Sequence, residues 1–280
     1  MRVTPAPVAT LVSRGIAAGI AGFSRDERVI VLRNLRRAGV HPRGPIGEAM
    51  AVQAVFESYA RYWVDTLRLP HLDAAAVDSG FVAEGYEHVA DAFAGGSAPI
   101  LALPHLGGWE WAGRWLVTAK GHSVAAVVEE IEPPELFDWF LEVRRSLGMD
   151  IIPVSEGAGG AAAALAEGKI LCLLCDRDIT GGGIEVEFFG ETTTLPGGPA
   201  LLAVRTGAPL LPTAVYFEGS RCRGVVDPPL DTARRGRLRD DVTRITQDLA
   251  HALERQIRRA PHQWHLLQPN WPSDLVVLGR

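Results

Sequence analysis

The stretch that decides the fold is PILALPHLGGWE, which spans residues 99–110. Its four apolar residues between two prolines predict a short buried strand, because a parallel strand covered on both faces is continuously apolar. The two glycines that follow predict a tight turn into a helix over residues 109–120. His105 is therefore expected at the carboxyl end of a strand, where open α/β sheets place their ligands.

Strands and helices alternate along the rest of the chain. The predicted strands are residues 99–104, 123–128, 150–154, 169–175, 184–189 and 209–217. The predicted helices are residues 5–38, 45–68, 109–120, 134–147, the alanine-rich run after residue 160, 198–205 and 239–259. This order predicts an α/β fold with a mixed, largely parallel central sheet, flanking helices and an N-terminal helical layer. Without a linker or an internal repeat, we expect one domain over residues 1–280, with a helical layer at 1–68 and an α/β core at 69–280.

The composition is that of an ordinary globular protein. Of the 280 residues, 47% are hydrophobic and 22% are charged, which excludes a disordered or fibrous chain. Three cysteines are too few for a disulfide framework, so a cytoplasmic protein is expected. The net charge of −5 argues against a general nucleic-acid-binding protein.

The charge is unevenly distributed along the sequence. Residues 1–43 contain eight arginines against Asp26 and Glu27, a net charge of +6. Valine, leucine and isoleucine lie between these arginines, a pattern typical of a segment that lies on an anionic membrane surface. A solvated helix face is the alternative. No uninterrupted apolar stretch of about 20 residues and no signal peptide is evident, so we expect peripheral attachment at most.

His105 and Glu110 form the sharpest chemical motif. Across a strand-to-helix turn their side chains could converge, and a carboxylate that accepts one imidazole N–H leaves the other nitrogen free as a base. Gly107 and Gly108 would let a substrate approach closely, and the N–H groups at the helix start could bind an oxyanion. The alternative is a capped helix behind a buried histidine.

Two charged clusters follow predicted elements. Asp176, Arg177 and Asp178 come directly after the strand at residues 169–175 and could orient a histidine or bind a polar substrate. Arg144 and Arg145 end the helix at residues 134–147, and arginine forks match phosphates and carboxylates. The alternatives are a surface ion-pair cluster for the first and capping of the helix dipole for the second.

A second motif favours a different enzyme. Residues 157–162 fit G-x-G-x-x-A, and Asp176 lies nineteen positions after Gly157, as in an NAD-dependent oxidoreductase. The adjoining helix is short and almost entirely alanine, so Gly157 and Gly159 are predicted to form a structural turn. Cys172 and Cys175 have metal-like spacing inside an apolar strand, which indicates core packing, and no metal site is predicted. Core packing is also predicted for residues 264–267 and Trp271.

Three segments resemble a known family. LPHLGGWEWAG, the segment from LCDRD to APLLP and WHLLQPNW occupy residues 103–113, 174–212 and 264–271. His105 and Glu110 match the H-x4-D/E motif of glycerolipid-type acyltransferases. The surrounding residues are similar to the bacterial lipid A late acyltransferases and more closely to the actinobacterial phosphatidylinositol mannoside acyltransferases.

The resemblance implies transfer of a fatty acyl group from acyl-CoA, as co-substrate and without a cofactor, to a sugar hydroxyl of a membrane glycolipid. It places the protein at the cytoplasmic face of the membrane. His105 would be the base and Glu110 its orienting partner. Arg144 and Asp176 fall near site-lining positions, with Arg145, Arg177 and Asp178 as further candidates.

The acyl chain would need an apolar groove. Its candidate residues are Phe188, Phe189, Trp109 and Trp111, for each of which core packing is the alternative. A non-catalytic protein that binds membrane lipid through its basic N-terminal helices is the remaining alternative to an enzyme.

Overall fold

The computed structural model describes residues 25–129 and 134–280. Ten α-helices lie in these ranges: α1 Arg25–Arg37, α2 Gly44–Arg68, α3 Ala74–Ser79, α4 Glu87–Ala94, α5 Trp109–Thr118, α6 Pro134–Ser146, α7 Gly157–Ala166, α8 Gly198–Thr206, α9 Leu238–Arg259 and α10 Pro272–Val277. Nine strands accompany them: β1 Phe81–Glu84, β2 Ile100–Leu103, β3 Val124–Val128, β4 Asp150–Pro153, β5 Ile170–Leu174, β6 Ile184–Phe188, β7 Glu191–Leu195, β8 Leu210–Glu218 and β9 Arg221–Val226. The part of the predicted helix over residues 5–24 lies outside the described residues.

Seven of these strands form one sheet in the order β1-β9-β8-β2-β5-β3-β4. The five strands from β8 to β4 are parallel, whereas β9 runs antiparallel to β8 and pairs in parallel with β1. The predicted α/β class and the largely parallel sheet are confirmed. The strand at residues 184–189 does not join this sheet. It pairs with β7 in a separate antiparallel hairpin, because a short chain reversal at Phe189 and Gly190 brings the two strands together.

The strand order decides which loops meet. β5 lies between β2 and β3, although α5, β3, α6, β4 and α7 separate it from β2 in the chain. Leu103, the last residue of β2, is in register with Leu174, the last residue of β5. The loops that follow these two strands therefore leave the same edge of the sheet side by side.

The core covers both faces of the sheet. Ile100 and Ala102 of β2 pack on one face, and Leu101 and Leu103 pack on the other. Successive side chains of a strand point to opposite faces, so a strand buried on both sides is continuously apolar. All four residues of β2 are at most 5% exposed, as the sequence predicts for this strand.

The helices α1 and α2 form the predicted N-terminal layer. Val31 and Leu35 of α1 pack against Val52 and Phe56 of α2 in a cluster of their own. The three- and four-residue spacing of apolar side chains in α2 predicts one apolar face, formed by Val52, Val55, Phe56, Tyr59, Trp63 and Leu67. The prediction is wrong at the end of the helix, because Leu67 is 42% exposed. At this end of the helix Tyr62 and Leu69 are buried instead, and they pack in the core of the sheet.

An ion-pair network holds α1 to the C-terminal end of the chain. The fully buried carboxylate of Asp274 accepts hydrogen bonds from Arg33 at 2.7 Å and Arg37 at 2.8 Å. The Arg37 guanidinium also lies 3.8 Å from the centre of the Trp271 ring. None of the described helices is both long and apolar enough to cross a membrane.

We expect Asp274→Ala to lower the free energy of unfolding by about 3 kcal/mol at pH 7, because it breaks the ion pairs of a buried carboxylate with Arg33 and Arg37, although Glu191 still pairs with Arg37. Burial by itself would raise the pKa of Asp274, but Arg37 and Arg33 lower it below its ordinary value. A depressed folded-state pKa contributes stability that is lost as the pH falls through it, so the difference from wild type should shrink below about pH 4.

Chemical denaturation at pH 7 and pH 3 measures both effects. Asp26→Asn is the control, since its ion pair with Arg280 is exposed and should contribute no more than about 1 kcal/mol. A loss for Asp274→Ala as small as that of the control would contradict the anchoring role.

Candidate active site

His105 and Asp176 meet at the carboxyl edge of the sheet. Nδ1 of His105 lies 2.6 Å from Oδ1 of Asp176, and the His105 backbone N–H donates to Oδ2 at 3.0 Å. The contact follows from the pairing of β2 with β5, since each residue comes two positions after the end of its strand. Nε2 of His105 has no hydrogen-bond partner within the described residues, and the His105 side chain is 25% exposed.

The segment at residues 261–271 completes this arrangement. Nε1 of Trp264 donates to Asp176 Oδ2 at 2.8 Å, and Asn270 donates to the Asp176 carbonyl oxygen at 3.0 Å. The backbone N–H of His265 donates to the carbonyl oxygen of His105 at 2.7 Å. The prediction that Trp264 only packs in the core is therefore incomplete. Its ring is buried, but its N–H also holds the carboxylate of Asp176.

The fully buried Asp176 stays ionised. Burial by itself would raise the pKa of this carboxyl, but the charge and hydrogen bonds of His105 and the donor of Trp264 hold the pKa below its usual range. An ionised acceptor at Nδ1 keeps the proton on that nitrogen and leaves the lone pair of Nε2 directed away from Asp176. The pair therefore has the geometry of an oriented general base.

The predicted pairing of Glu110 with His105 is wrong. Glu110 accepts hydrogen bonds from Tyr62 at 3.1 Å and from Nε of Arg144 at 2.9 Å. The cause is helical rotation of about 100° per residue: Trp109 faces His105, and Glu110, one position later, does not.

Arg144 remains a cation despite its burial. Burial by itself would lower the pKa of Arg144, but Glu110 raises it above its ordinary value. Burial and the negative charge of Glu110 likewise hold the pKa of Tyr62 well above its ordinary value, so its hydroxyl stays a donor. Glu110 thus fixes two groups that line the site and lies behind them.

The two glycines after His105 serve packing on the sheet. A Cβ on Gly107, whose φ is +60°, would lie 2.0 Å from the carbonyl oxygen of Val215. A Cβ on Gly108 would lie 2.8 Å from the Phe217 ring. These approaches to β8, rather than the approach of a substrate, explain why both positions are glycine. The N–H of Gly107 donates to Gln263 and is not available to an oxyanion.

A cavity of about 450 Å³ opens beside His105. Its polar wall includes Tyr62, Arg144, Arg177 and Asp178. Its apolar wall is built from residues of the strands and helices around the carboxyl edge: Val127, Val128, Phe137, Leu141, Val154, Ala161, Leu173, Pro199 and Leu202. Asp176 and Glu110 are not among the lining residues, so each carboxylate supports a lining group from behind.

The remaining predicted site residues are placed as follows. Arg177 lines the cavity and pairs with Glu129. Asp178 also lines it, but its oxygens accept from the backbone of Gly183 at 2.8 Å and of Thr180 at 3.0 Å, so it shapes the glycine-rich loop. Arg145 is exposed and does not line the cavity.

Of the four aromatic residues proposed for an acyl groove, Trp109 alone lines the cavity. Phe188, Phe189 and Trp111 are at most 9% exposed and pack in the core. Sequence analysis missed Tyr59, Tyr62 and Trp63 of α2, together with His265, all of which line the cavity. Tyr59 and Trp63 belong to the apolar face that the spacing predicts for α2, and the aromatic residues on that face are the signal that could have indicated a binding site.

The glycine motif does not form a dinucleotide site with Asp176. Gly157, with a φ of +62°, is the first residue of the ten-residue helix α7, so the chain turns there as predicted. Gly159 lies within the helix, so the prediction of a turn is wrong at that position. The side chain of Asp176 is fully buried and bonded to His105 and Trp264, so it is not available to a ribose. Cys175 is buried in the core, and no group of three metal-ligating side chains occurs within the described ranges.

Known proteins are similar to this chain over most of its length. A family model described as bacterial lipid A biosynthesis acyltransferase matches residues 1–273. A phosphatidylinositol mannoside acyltransferase of Mycolicibacterium smegmatis is 39% identical over 247 residues, which cover 87% of this chain and 79% of the relative. One of the same name from Mycobacterium tuberculosis is 41% identical over 252 residues, with 87% and 77% coverage.

We expect Glu110→Gln to lower the free energy of unfolding by about 3–5 kcal/mol, because it removes the negative charge from a buried ion pair with Arg144. Arg144→Met should lower the free energy of unfolding by a similar amount, because Glu110 then loses the positive charge of Arg144. The double variant should lose less than the sum of the two, with a coupling of at least about 1 kcal/mol.

Urea denaturation of the wild-type protein, the two single variants and the double variant measures this coupling. Glu48→Gln is the matched control, because its ion pair with Arg36 is exposed and should contribute at most about 1 kcal/mol. Strictly additive losses would show that the two charges do not depend on each other.

Proposed function

The chain belongs to the bacterial lipid A biosynthesis acyltransferase family, and from this premise we propose that it transfers a fatty acyl group from acyl-CoA to a sugar hydroxyl of a phosphatidylinositol mannoside-type glycolipid. The observation that carries the proposal is the hydrogen-bonded pair of His105, which lines a largely apolar cavity, and Asp176, which lies behind it. The names of the two mycobacterial relatives support the choice of acceptor.

The reaction uses His105 as general base. Nε2 of His105 takes the proton of the sugar hydroxyl while the hydroxyl oxygen attacks the thioester carbonyl carbon. The tetrahedral intermediate then collapses, the carbon–sulfur bond breaks, and the CoA thiolate takes the proton from His105. Asp176 stabilises the imidazolium that exists between the two proton transfers. No covalent acyl-enzyme intermediate and no cofactor or metal is required, since a thiolate leaves readily.

The other residues of the site bind and position. N–H groups at the start of α5 beyond Gly107 would stabilise the oxyanion, because the first turn of a helix leaves its donors without intrahelical acceptors. Arg144, held by Glu110, would bind polar groups of the acceptor, with Arg177 and Asp178 on the same wall. The apolar wall would bind the acyl chain, to which each buried CH₂ contributes about 0.8 kcal/mol.

The proposed location is the cytoplasmic face of the membrane, through peripheral contact with anionic lipid. Ile46 is 78% exposed and Met50 is 69% exposed, one turn apart on α2. Arg25 and Arg28 of α1 are exposed, as is Arg43, which directly precedes α2. Apolar side chains beside exposed cations are the combination that binds anionic bilayers.

We expect His105→Ala to reduce acyl transfer by about 10²–10⁴-fold, the usual contribution of a general base. Asp176→Asn should reduce acyl transfer at least about 10²-fold, because it removes the charge that stabilises the imidazolium of His105. Glu110→Gln, which acts through Arg144, should lose less than Asp176→Asn. The measurement is thiol release from a long-chain acyl-CoA with purified phosphatidylinositol mannoside, together with the acylated lipid product.

His71→Ala, at an exposed histidine outside the cavity, is the control. Near-normal turnover by folded His105→Ala would reject the assignment of the base. Binding of lipid by the wild-type protein without any thiol release would favour the alternative of a non-catalytic lipid-binding protein.

The exposed arginines around Ile46 and Met50 are expected to bind an anionic membrane surface. Replacement of Arg25, Arg28 and Arg43 by glutamine should weaken binding to anionic liposomes by about 10²-fold at low salt, since each arginine contributes about 1 kcal/mol near such a surface. Arg33 and Arg37 are unsuitable for this test, because they bind Asp274 inside the protein. Sedimentation with liposomes at increasing salt is the measurement, and added salt should weaken binding steeply.

The matched control replaces Arg205, Arg239 and Arg255, exposed arginines of α8 and α9, and changes the net charge by the same amount. Equal binding of the wild-type protein to neutral and anionic liposomes would reject the electrostatic account. Equal weakening by the two triple variants would reject the assigned surface.

A further inference from the structure

The apolar part of the cavity follows the carboxyl edge of the sheet away from His105. Leu103 of β2 is in register with Leu174 of β5, and Val128 of β3 is in register with Pro153 of β4. The register of β3 with β5, continued by two residues, places Val128 opposite Leu174. These four residues therefore form one row across the ends of four neighbouring strands, in the order β2, β5, β3 and β4.

The row leads from the base to the start of α7. His105 follows the row at the end of β2, and Val154 follows it at the end of β4. Leu174, Val128 and Val154 line the cavity, and so does Ala158 in the first turn of α7. Neighbouring strands lie about 4.8 Å apart, so the three steps from β2 to β4 span about 14 Å. The cavity thus extends over about that length from the base to α7.

A chain that begins at the base and follows this row is the acyl chain of the donor. In the proposed reaction the thioester carbonyl lies next to Nε2 of His105, and the acyl chain is attached directly to that carbonyl. The lipid chains of the acceptor are separated from the attacked hydroxyl by the sugar and the head group. Glu129 and Arg177, the charged residues that follow β3 and precede Asp178, pair with each other, so neither presents an unpaired charge to an apolar chain.

The side chain at position 158 has room to become larger. Ala158 is exposed and lines the cavity. A Cβ on the preceding Gly157 would meet no other atom within 4 Å, so the space beside the start of α7 is open. An extended chain advances about 1.2 Å per bond, so a span of about 14 Å corresponds to about 11 or 12 carbons. A larger side chain at position 158 would therefore meet the acyl chain near that depth.

We propose that the acyl chain of the donor runs across the carboxyl ends of β5, β3 and β4, and that the small side chain of Ala158 sets the length of chain that the cavity accepts. The inference rests on the proposed function and extends it to a residue that determines donor specificity. It also gives a role to the glycine motif at residues 157–162, whose first two residues line the cavity.

The experiment compares saturated donors, from octanoyl-CoA to stearoyl-CoA, in graded variants of one position. Ala158→Phe should shorten the longest chain that still gains affinity by about three or four carbons, because a phenyl ring spans about that many bonds, and Ala158→Leu by about two. Each buried methylene is worth about 4-fold, so the longest chain that wild type accepts should lose about 10²-fold in kcat/KM with Ala158→Phe. Octanoyl-CoA ends before position 158, and its normal use shows that the variant is folded.

Val127→Phe gives a second point along the row, because Val127 of β3 lines the cavity one strand nearer to the base. It should shorten the accepted chain by more than Ala158→Phe does. Ala163→Phe is the matched control, since Ala163 is exposed on the same helix and does not line the cavity. One chain-length profile shared by wild type, Ala158→Leu and Ala158→Phe would overturn the proposal. A longer limit in Val127→Phe than in Ala158→Phe, or an equal shortening by Ala163→Phe, would overturn it too.

Calorimetry with S-alkyl-CoA thioethers separates this inference from the proposed function, because a thioether cannot transfer its chain. A length limit that Ala158→Phe shortens and Ala163→Phe does not would support the path of the chain even if no acyl transfer were found. Acyl transfer with the same length profile in wild type and Ala158→Phe would leave the proposed function standing and reject the path. Ala158→Leu decides the matter if Ala158→Phe does not fold.

Discussion

Asp176 accepts hydrogen bonds from the ring and backbone of His105 and from the indole of Trp264, so distant parts of the chain converge on one carboxylate. A buried carboxylate is costly unless it is fully paired, and breaking such an arrangement strands its partners. This requirement fixes the loop after β2, the loop after β5 and the segment around Trp264 relative to one another. The position of the base beside the cavity therefore depends on the carboxylate behind it.

A second carboxylate repeats this arrangement a short distance away. Glu110 lies behind Arg144 and Tyr62 as Asp176 lies behind His105. The cavity wall thus presents a base, a cation and a phenol, while the charges that hold them are shielded from water. The helix α2 contacts the site at two points, because Tyr62 donates to Glu110 and the hydroxyl of Ser58 lies 2.8 Å from Nε2 of His265. The N-terminal layer therefore builds the cavity as well as covering the sheet.

Much of the fold could be predicted from local patterns. The continuously apolar strand at residues 99–104 and the alternating helices have signals that depend only on neighbouring residues, and the predicted class is confirmed. The predictions failed where burial depends on distant partners. Phe188 and Phe189 were proposed as groove residues but pack in the core. Leu67 continues an apolar period yet is exposed, because Tyr62 and Leu69 occupy the buried side of the chain there.

The sequence by itself determined that His105 follows a buried strand, that Asp176 follows another, and that a tight glycine turn leads into a helix carrying Glu110. It did not determine which carboxylate serves the histidine. The tertiary structure decided this when β5 paired with β2, because parallel neighbours end at the same edge and bring Asp176 to His105. Helical rotation turned Glu110 toward Arg144 instead. Spacing along the chain limits what two residues can reach, but strand order, a long-range property, selects the partner.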